Sequence, residues 1–118
     1  MAAKISLYRG VTYPTTYQHT DNDGNALPLT GCTVLFTVKL EKYDDASDDS
    51  SAVYRETITE HADPEGGITS WEITIPATSV QPGKYFFDIV VVKQDGEALP
   101  PVIMGECKIE GKVTNRYA

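Results

Sequence analysis

The chain has 118 residues and a formal net charge of −7, with 41% hydrophobic and 23% charged residues. This size and composition are typical of one globular domain, which we place at residues 1–118. The acidic balance repels phosphate backbones and argues against nucleic acid as a partner. No apolar run approaches the roughly 20 residues that span a bilayer, so we expect no membrane partner.

Alternation of apolar and polar residues, which marks half-buried strands, recurs along the chain, whereas the helical period does not. Ile5 and Leu7 predict a first strand, which we expect at a sheet edge. Residues 13–17 predict a second strand and residues 32–40 a third. The third strand directs Val34, Phe36, Val38 and Leu40 to one face.

Four further strands are predicted in the second half of the chain: residues 53–58, 71–75, 85–92 and 103–109. The strand at 85–92 is apolar on both faces, so we expect it to be central and covered on both sides. The predicted core consists of the alternating inward residues Val34, Phe36, Val38, Trp71, Ile73, Tyr85, Phe87 and Ile89.

Turn signals separate these strands. Asp23-Gly24 and Asp95-Gly96 are strong hairpin dipeptides, and Pro82-Gly83 precedes the strand at Tyr85. About seven short strands with such turns predict an all-β, immunoglobulin-like antiparallel β-sandwich. Residues 44–52 are acidic and serine-rich without a burial pattern, and they predict a mobile loop.

Tyr85 follows the Pro82-Gly83 turn at the start of a strand. Sandwich domains often place a tyrosine corner there, in which the hydroxyl bonds to backbone a few residues upstream. We therefore predict a structural role for Tyr85.

The residues that could carry chemistry do not form a recognisable catalytic or metal-binding pattern. His19 and His61 lie near predicted turns, without a neighbouring nucleophile motif or metal-type spacing. Asp21, Asp23 and Asn25 are spaced like the first ligands of a calcium loop. That pattern fails at its sixth and twelfth positions, where Ala26 and Cys32 stand. We therefore predict no enzyme activity, no metal and no cofactor.

Cys32 and Cys107 lie in strand-like segments. Two buried thiols or one disulfide are both compatible with a sandwich. The first four residues show no apolar core of a secretion signal, so we expect a reducing compartment and favour free thiols.

Several short segments that are typical of one known domain type occur in order along the chain. They are residues 5–10, Asp23-Gly24-Asn25, residues 29–39, Gly67-Ile68, Pro82-Gly83-Lys84-Tyr85 and Gly105-Glu106-Cys107-Lys108-Ile109. This order resembles the N-terminal immunoglobulin-like domain of phage baseplate upper proteins and related small phage tail proteins.

The resemblance implies a structural protein of a phage or prophage virion. It would be made in the host cytoplasm and would assemble in the tail or baseplate with other virion proteins and with copies of itself. It implies no catalytic residues. We also hypothesise that residues 111–118 form a docking tail, with Lys112, Val113, Arg116 and Tyr117 as its candidate contact residues.

Three alternative functions remain open for a sandwich of this kind. One is a capsid-decoration or neck protein of the same fold. Another is a carbohydrate- or receptor-binding module, which would expose tyrosines such as Tyr13, Tyr17 or Tyr54 on one face or loop rim. The third is a bacterial surface or adhesion module, which would need a secretion route. Fold alone does not separate these functions.

Overall fold

A computed structural model of the chain describes residues 3–21, 23–40, 49, 51–76, 79–99 and 103–111. The described residues form seven strands and no helix, which confirms the all-β prediction. The strands are β1 (Ala3–Tyr8), β2 (Thr12–Gln18), β3 (Thr33–Lys39), β4 (Tyr54–Ile58), β5 (Ile68–Thr74), β6 (Gly83–Val92) and β7 (Ile103–Glu110). In this described part of the chain, no helix is long and apolar enough to cross a membrane.

The strands form two sheets that enclose one core. The larger sheet has the order β1-β7-β6-β3-β4, and the smaller sheet pairs β2 with β5. Aromatic rings join the two sheets, since the Phe36 ring on β3 lies 5.7 Å from the Trp71 ring on β5 and 5.9 Å from the Phe87 ring on β6. The structure is therefore sandwich-like, with five strands opposed by two.

The prediction of a wholly antiparallel sandwich is wrong at one pair. β1 runs parallel to β7, with Ile5 opposite Cys107 and Leu7 opposite Ile109, while the remaining pairs are antiparallel. A parallel pair needs a long crossover. Here almost the whole domain lies between the two strands, so local turn signals could not reveal their direction. β1 lies at the edge of its sheet, as predicted.

The eight residues predicted to form the core are all buried. The prediction that Leu40 continues this buried face is wrong, because its side chain is 61% exposed. β3 ends at Lys39, so the alternation that buries Val38 does not extend to the next apolar residue. The core also contains Leu29, which is fully buried although it lies in a connection where periodicity gives no signal.

β6 is central, between β3 and β7, but the prediction that both of its faces are covered is wrong. Its odd-numbered residues from Tyr85 to Val91 are buried against the small sheet, whereas Phe86, Val90 and Val92 on the opposite face are only half-buried. None of the described strands packs against that face.

Two glycine positions explain how the β2–β3 connection folds back on the sandwich. Gly24 has a φ of 83° in the turn that follows Asp21, a conformation that few other residues adopt. Gly67 has a φ of 73°, and a Cβ there would lie 2.8 Å from the carbonyl oxygen of His19 and would also clash with that of Leu27. The connection can therefore cross the start of β5 only because residue 67 has no side chain.

Candidate functional site

The two histidines hold the fold together. His61 Nε2 lies 2.8 Å from the Cys32 carbonyl oxygen and therefore donates to it, and Nδ1 lies 2.9 Å from the hydroxyl of Thr69, which is fully buried. His19 is 8% exposed, its Nδ1 lies 2.9 Å from the Tyr17 hydroxyl, and burial lowers its pKa. The His61 imidazole thus joins separate segments of the chain, whereas the His19 imidazole bonds to a residue only two positions away.

The two cysteines are free thiols. Cys107 is fully buried in the core, and burial raises the pKa of its thiol to about 11. Cys32 is half-buried at the start of β3. Because the thiolate is the nucleophile, the Cys107 environment suppresses the chemistry that a reactive cysteine needs.

The Asp21 carboxylate is engaged in its own turn. Its Oδ1 accepts hydrogen bonds of 2.9 Å from the backbone amides of both Asp23 and Asn25, and these bonds lower its pKa. The carboxylate therefore stabilises the turn through the same oxygens that a cation would require. The described residues contain no group of three or more His, Cys, Asp or Glu side chains suited to a metal ion.

Tyrosine side chains tie the two sheets together at both open sides of the sandwich. The Tyr54 hydroxyl on β4 lies 2.7 Å from Glu56 Oε1 and 3.2 Å from the Glu72 carbonyl oxygen of β5, and it accepts the Thr74 amide at 3.4 Å. Burial, followed by the neighbouring Glu56, raises the pKa of Tyr54 to about 12. Tyr54 therefore occupies the edge of β5 where a further strand would otherwise pair.

Tyr13 makes the corresponding bridge on the other side. Its hydroxyl on β2 accepts the backbone amide of Tyr8 on β1 at 3.0 Å. Tyr13, Tyr17 and Tyr54 all pack against the core and each has its hydroxyl in a hydrogen bond. These three tyrosines are the ones that a carbohydrate-binding module would expose. They are instead partly buried in the sandwich and do not form an exposed stacking platform.

Tyr85 adopts the tyrosine-corner arrangement. Its hydroxyl donates to the Gln81 carbonyl oxygen at 2.7 Å, and its ring is buried. The bond fixes the turn that leads into β6.

An apolar cleft of about 440 Å³ opens between β1 and β2, which we call the inter-sheet cleft. Ile5 and Leu7 of β1 form one wall, Thr15 and Tyr17 of β2 form the other, and the Phe36, Trp71, Phe87 and Ile103 side chains reach it from the core. None of the lining residues that the structure describes is charged. Sequence alternation identified several of these residues as core, but it could not show that they face an opening.

The outer face of the larger sheet, on the side opposite the core, carries a second candidate surface, which we call the outer apolar patch. It consists of Leu35, Val90 and Val92, which are half-buried, and Met104, which is 37% exposed. Leu35 lies directly opposite Val90 across β3 and β6. In the sequence, this surface corresponds to the apolar residues on the second face of β6, which we interpreted as evidence for a strand covered on both faces.

Ion pairs border the outer apolar patch. Lys84 and Glu106 are 3.0 Å apart, and the Lys84 ammonium lies 5.6 Å from the centre of the Phe86 ring. Lys39 and Asp49 are 2.7 Å apart near β3. Asp49 belongs to the predicted acidic loop, most of which lies outside the described residues. The candidate docking residues Lys112, Val113, Arg116 and Tyr117 also lie outside them.

The chain matches no known protein family and no curated protein.

Proposed function

We propose that this domain is a structural module of a phage or prophage particle, in the tail or baseplate, which acts through protein–protein contacts and has no catalytic role. The observation that best supports this proposal is the outer apolar patch: none of the described strands packs on the outer face of the five-stranded sheet, and Leu35, Val90, Val92 and Met104 lie together on it. Apolar side chains grouped on a surface and bordered by charges are typical of protein interfaces.

The strand pairing supports the immunoglobulin-like part of the proposal. β3, β6 and β7 lie together in one sheet, and β2 pairs with β5 in the other. These pairings correspond to the C, F, G and B, E strands of immunoglobulin domains, and the Tyr85 hydroxyl bond falls at the expected corner. The resemblance to phage baseplate and tail proteins rests on the same segments.

Immunogold electron microscopy tests the place of the protein in a particle. Antibodies against the purified domain are applied to particles from a lysate of the host that carries the gene. We expect gold at the tail or baseplate. Gold on the capsid or neck would favour the alternative of a decoration or neck protein, and particles without gold would contradict both proposals.

A charge placed in the outer apolar patch tests the contact surface. The substitution Val90→Lys, introduced into the gene in the phage genome, should lower the amount of this protein in purified particles, measured by quantitative mass spectrometry. Ser70→Lys, on the exposed face of the smaller sheet, is the matched control and should leave incorporation unchanged. Equal incorporation of both variants would exclude the patch as the docking surface.

A further inference from the structure

The inter-sheet cleft is bordered by two strand edges that no other described strand pairs with. Among the seven described strands, β1 pairs with β7 alone and β2 with β5 alone. In a strand, backbone groups point alternately to either side. The Arg9 amide donates to the Glu110 carbonyl oxygen of the strand next to β1, whereas the Tyr8 amide points the other way, to Tyr13. The amides of Lys4 and Ser6 therefore point to the same free edge as that of Tyr8.

The same alternation defines the opposite border. The His19 amide donates to the Gly67 carbonyl oxygen on the β5 side. The even-numbered residues of β2, from Thr12 to Gln18, therefore direct their backbone groups to the free edge. Residue 14 is a proline and has no amide hydrogen to offer there. A proline in the middle of a free edge discourages pairing with another strand, so β2 is the blocked border and β1 the accessible one.

At one end of the inter-sheet cleft the edge of β1 is already hydrogen-bonded, because the Tyr13 hydroxyl accepts the amide of Tyr8. The other end offers the backbone groups of Lys4 and Ser6, which point away from β7 and for which no hydrogen-bond partner exists among the described residues. Ile5 lies between them and directs its side chain into the cleft. The cleft thus presents a row of backbone donors and acceptors next to an apolar cavity.

We propose that the inter-sheet cleft binds an extended segment of a partner protein, which adds as a sixth strand to the free edge of β1. Backbone bonds to Lys4 and Ser6 would hold the segment, and its alternate side chains would fill the cleft above Ile5 and Ile103. Strand addition uses both the edge and the cavity, whereas a small apolar molecule would use the cavity alone.

The chemistry of the segment follows from the lining. The described lining residues are uncharged and mostly apolar, so a charged side chain that entered would lose its hydration without a partner among them. The inward side chains of the segment are therefore apolar, at every second position. The indole N–H of Trp71, a lining residue, is buried and has no acceptor among the described residues.

Selection from a library of random twelve-residue peptides tests this proposal. We expect enriched peptides to alternate apolar residues without a central charge. Binding should fall at least about tenfold for Thr15→Lys, which places a charge in the cleft. Thr57→Lys makes the same change on the exposed side of β4, far from the cleft, and should bind as the unchanged protein does. Circular dichroism checks that both variants fold.

Amide hydrogen exchange on the unchanged protein gives an independent readout if Thr15→Lys does not fold. An enriched peptide should protect the amides of Lys4 and Ser6, and the same peptide N-methylated at every second residue should not. Failure to enrich any peptide, or binding without protection of these two amides, would overturn the proposal. The outer apolar patch lies on the opposite face of the larger sheet, so the two docking proposals can fail separately.

Discussion

At the scale of single residues, the chemistry-bearing side chains are engaged in maintaining the fold. Burial lowers the pKa of His19 and raises that of Cys107, and Asp21 is bonded to its own turn. Asp88 differs, because it is a half-buried carboxylate on the outer face of central β6. Burial, and then the charge of Asp49, raises its pKa, which Lys39 partly offsets.

Asp88→Asn should stabilise the protein at neutral pH. A carboxyl group with a raised pKa in the folded state binds its proton more tightly there than in the unfolded chain. Its ionised form therefore costs stability at pH 7, and this cost disappears as the pH falls through the folded pKa toward the unfolded value of about 3.9. We expect a higher urea midpoint for the variant at pH 7 and equal midpoints near pH 4.

Glu72→Gln removes the same charge from an exposed position on β5 and serves as the control for net charge. It should change the midpoint much less than Asp88→Asn does. A lower midpoint for Asp88→Asn at pH 7 would show that the carboxylate is favourably paired and would contradict this account.

Cys107 should resist alkylation in the folded protein. Its thiol is fully buried with a pKa of about 11, so the reactive thiolate is scarce and inaccessible at neutral pH. With iodoacetamide, mass spectrometry should find modification of Cys32 first, and of both residues only in denaturant. A mass about two hydrogens below that of the dithiol, restored by a reductant, would instead reveal a disulfide.

At the scale of the elements, tyrosine hydroxyl groups hold a turn and an unpaired strand edge in place. Tyr85 fixes the turn before β6, and Tyr54 fixes β4 against the edge of β5. Sequence position was enough to predict the first of these, because the tyrosine corner is a local device. It could not predict the second, since Tyr54 and Glu72 meet only when the two sheets stack.

Tyr54→Phe should destabilise the domain by about 1–3 kcal/mol, because it removes a hydroxyl that bonds to a carboxylate and to two backbone groups of β5. Chemical denaturation measures the loss. Tyr8→Phe is the matched control: the Tyr8 ring is 44% exposed, and its hydroxyl has no partner among the described residues. Equal stability of the two variants would mean that the bridge contributes nothing.

Tyr85→Phe should cost about 1 kcal/mol, the typical net value of one intramolecular hydrogen bond. The ring stays buried, so the change isolates the bond to the Gln81 carbonyl oxygen. The expected result is a lower denaturation midpoint with an unchanged slope. If the midpoint stays at the value of the Tyr8→Phe control, the corner is dispensable for stability.

At the scale of the whole molecule, one ring connects the layers. The Phe36 ring lies 5.7 to 6.1 Å from the rings of Trp71, Phe87 and Tyr54, which come from three other strands. Phe36→Ala should therefore destabilise both sheets together, by about 3–5 kcal/mol. Calorimetry should show a single transition at lower temperature.

Leu40→Ala gives the contrast to Phe36→Ala. It follows the same alternation in sequence but is 61% exposed, so its effect should stay within about 0.5 kcal/mol. A large loss at Leu40 would show that the residue is covered in solution. Two separate transitions for Phe36→Ala would contradict a shared core.

The amino-acid sequence by itself determined the all-β class, seven strands, the main turns and the inward residues of the core. These follow from the two-residue period of a strand and from turn residues, both of which act over a few neighbours. It also identified the corner residue Tyr85 and predicted the edge position of β1.

Only the tertiary structure decided which strands pair, which face of β6 stays open and where the sandwich leaves a cleft. Residues that are distant along the chain meet in the parallel β1–β7 pair, in the Tyr54 bridge and in the outer apolar patch. The Tyr13 bridge joins residues only five positions apart, but they belong to different sheets. The alternation of apolar and polar residues along a strand shows only which side chains are apolar. Whether that side chain meets another layer, a cleft or solvent depends on how the sheets stack.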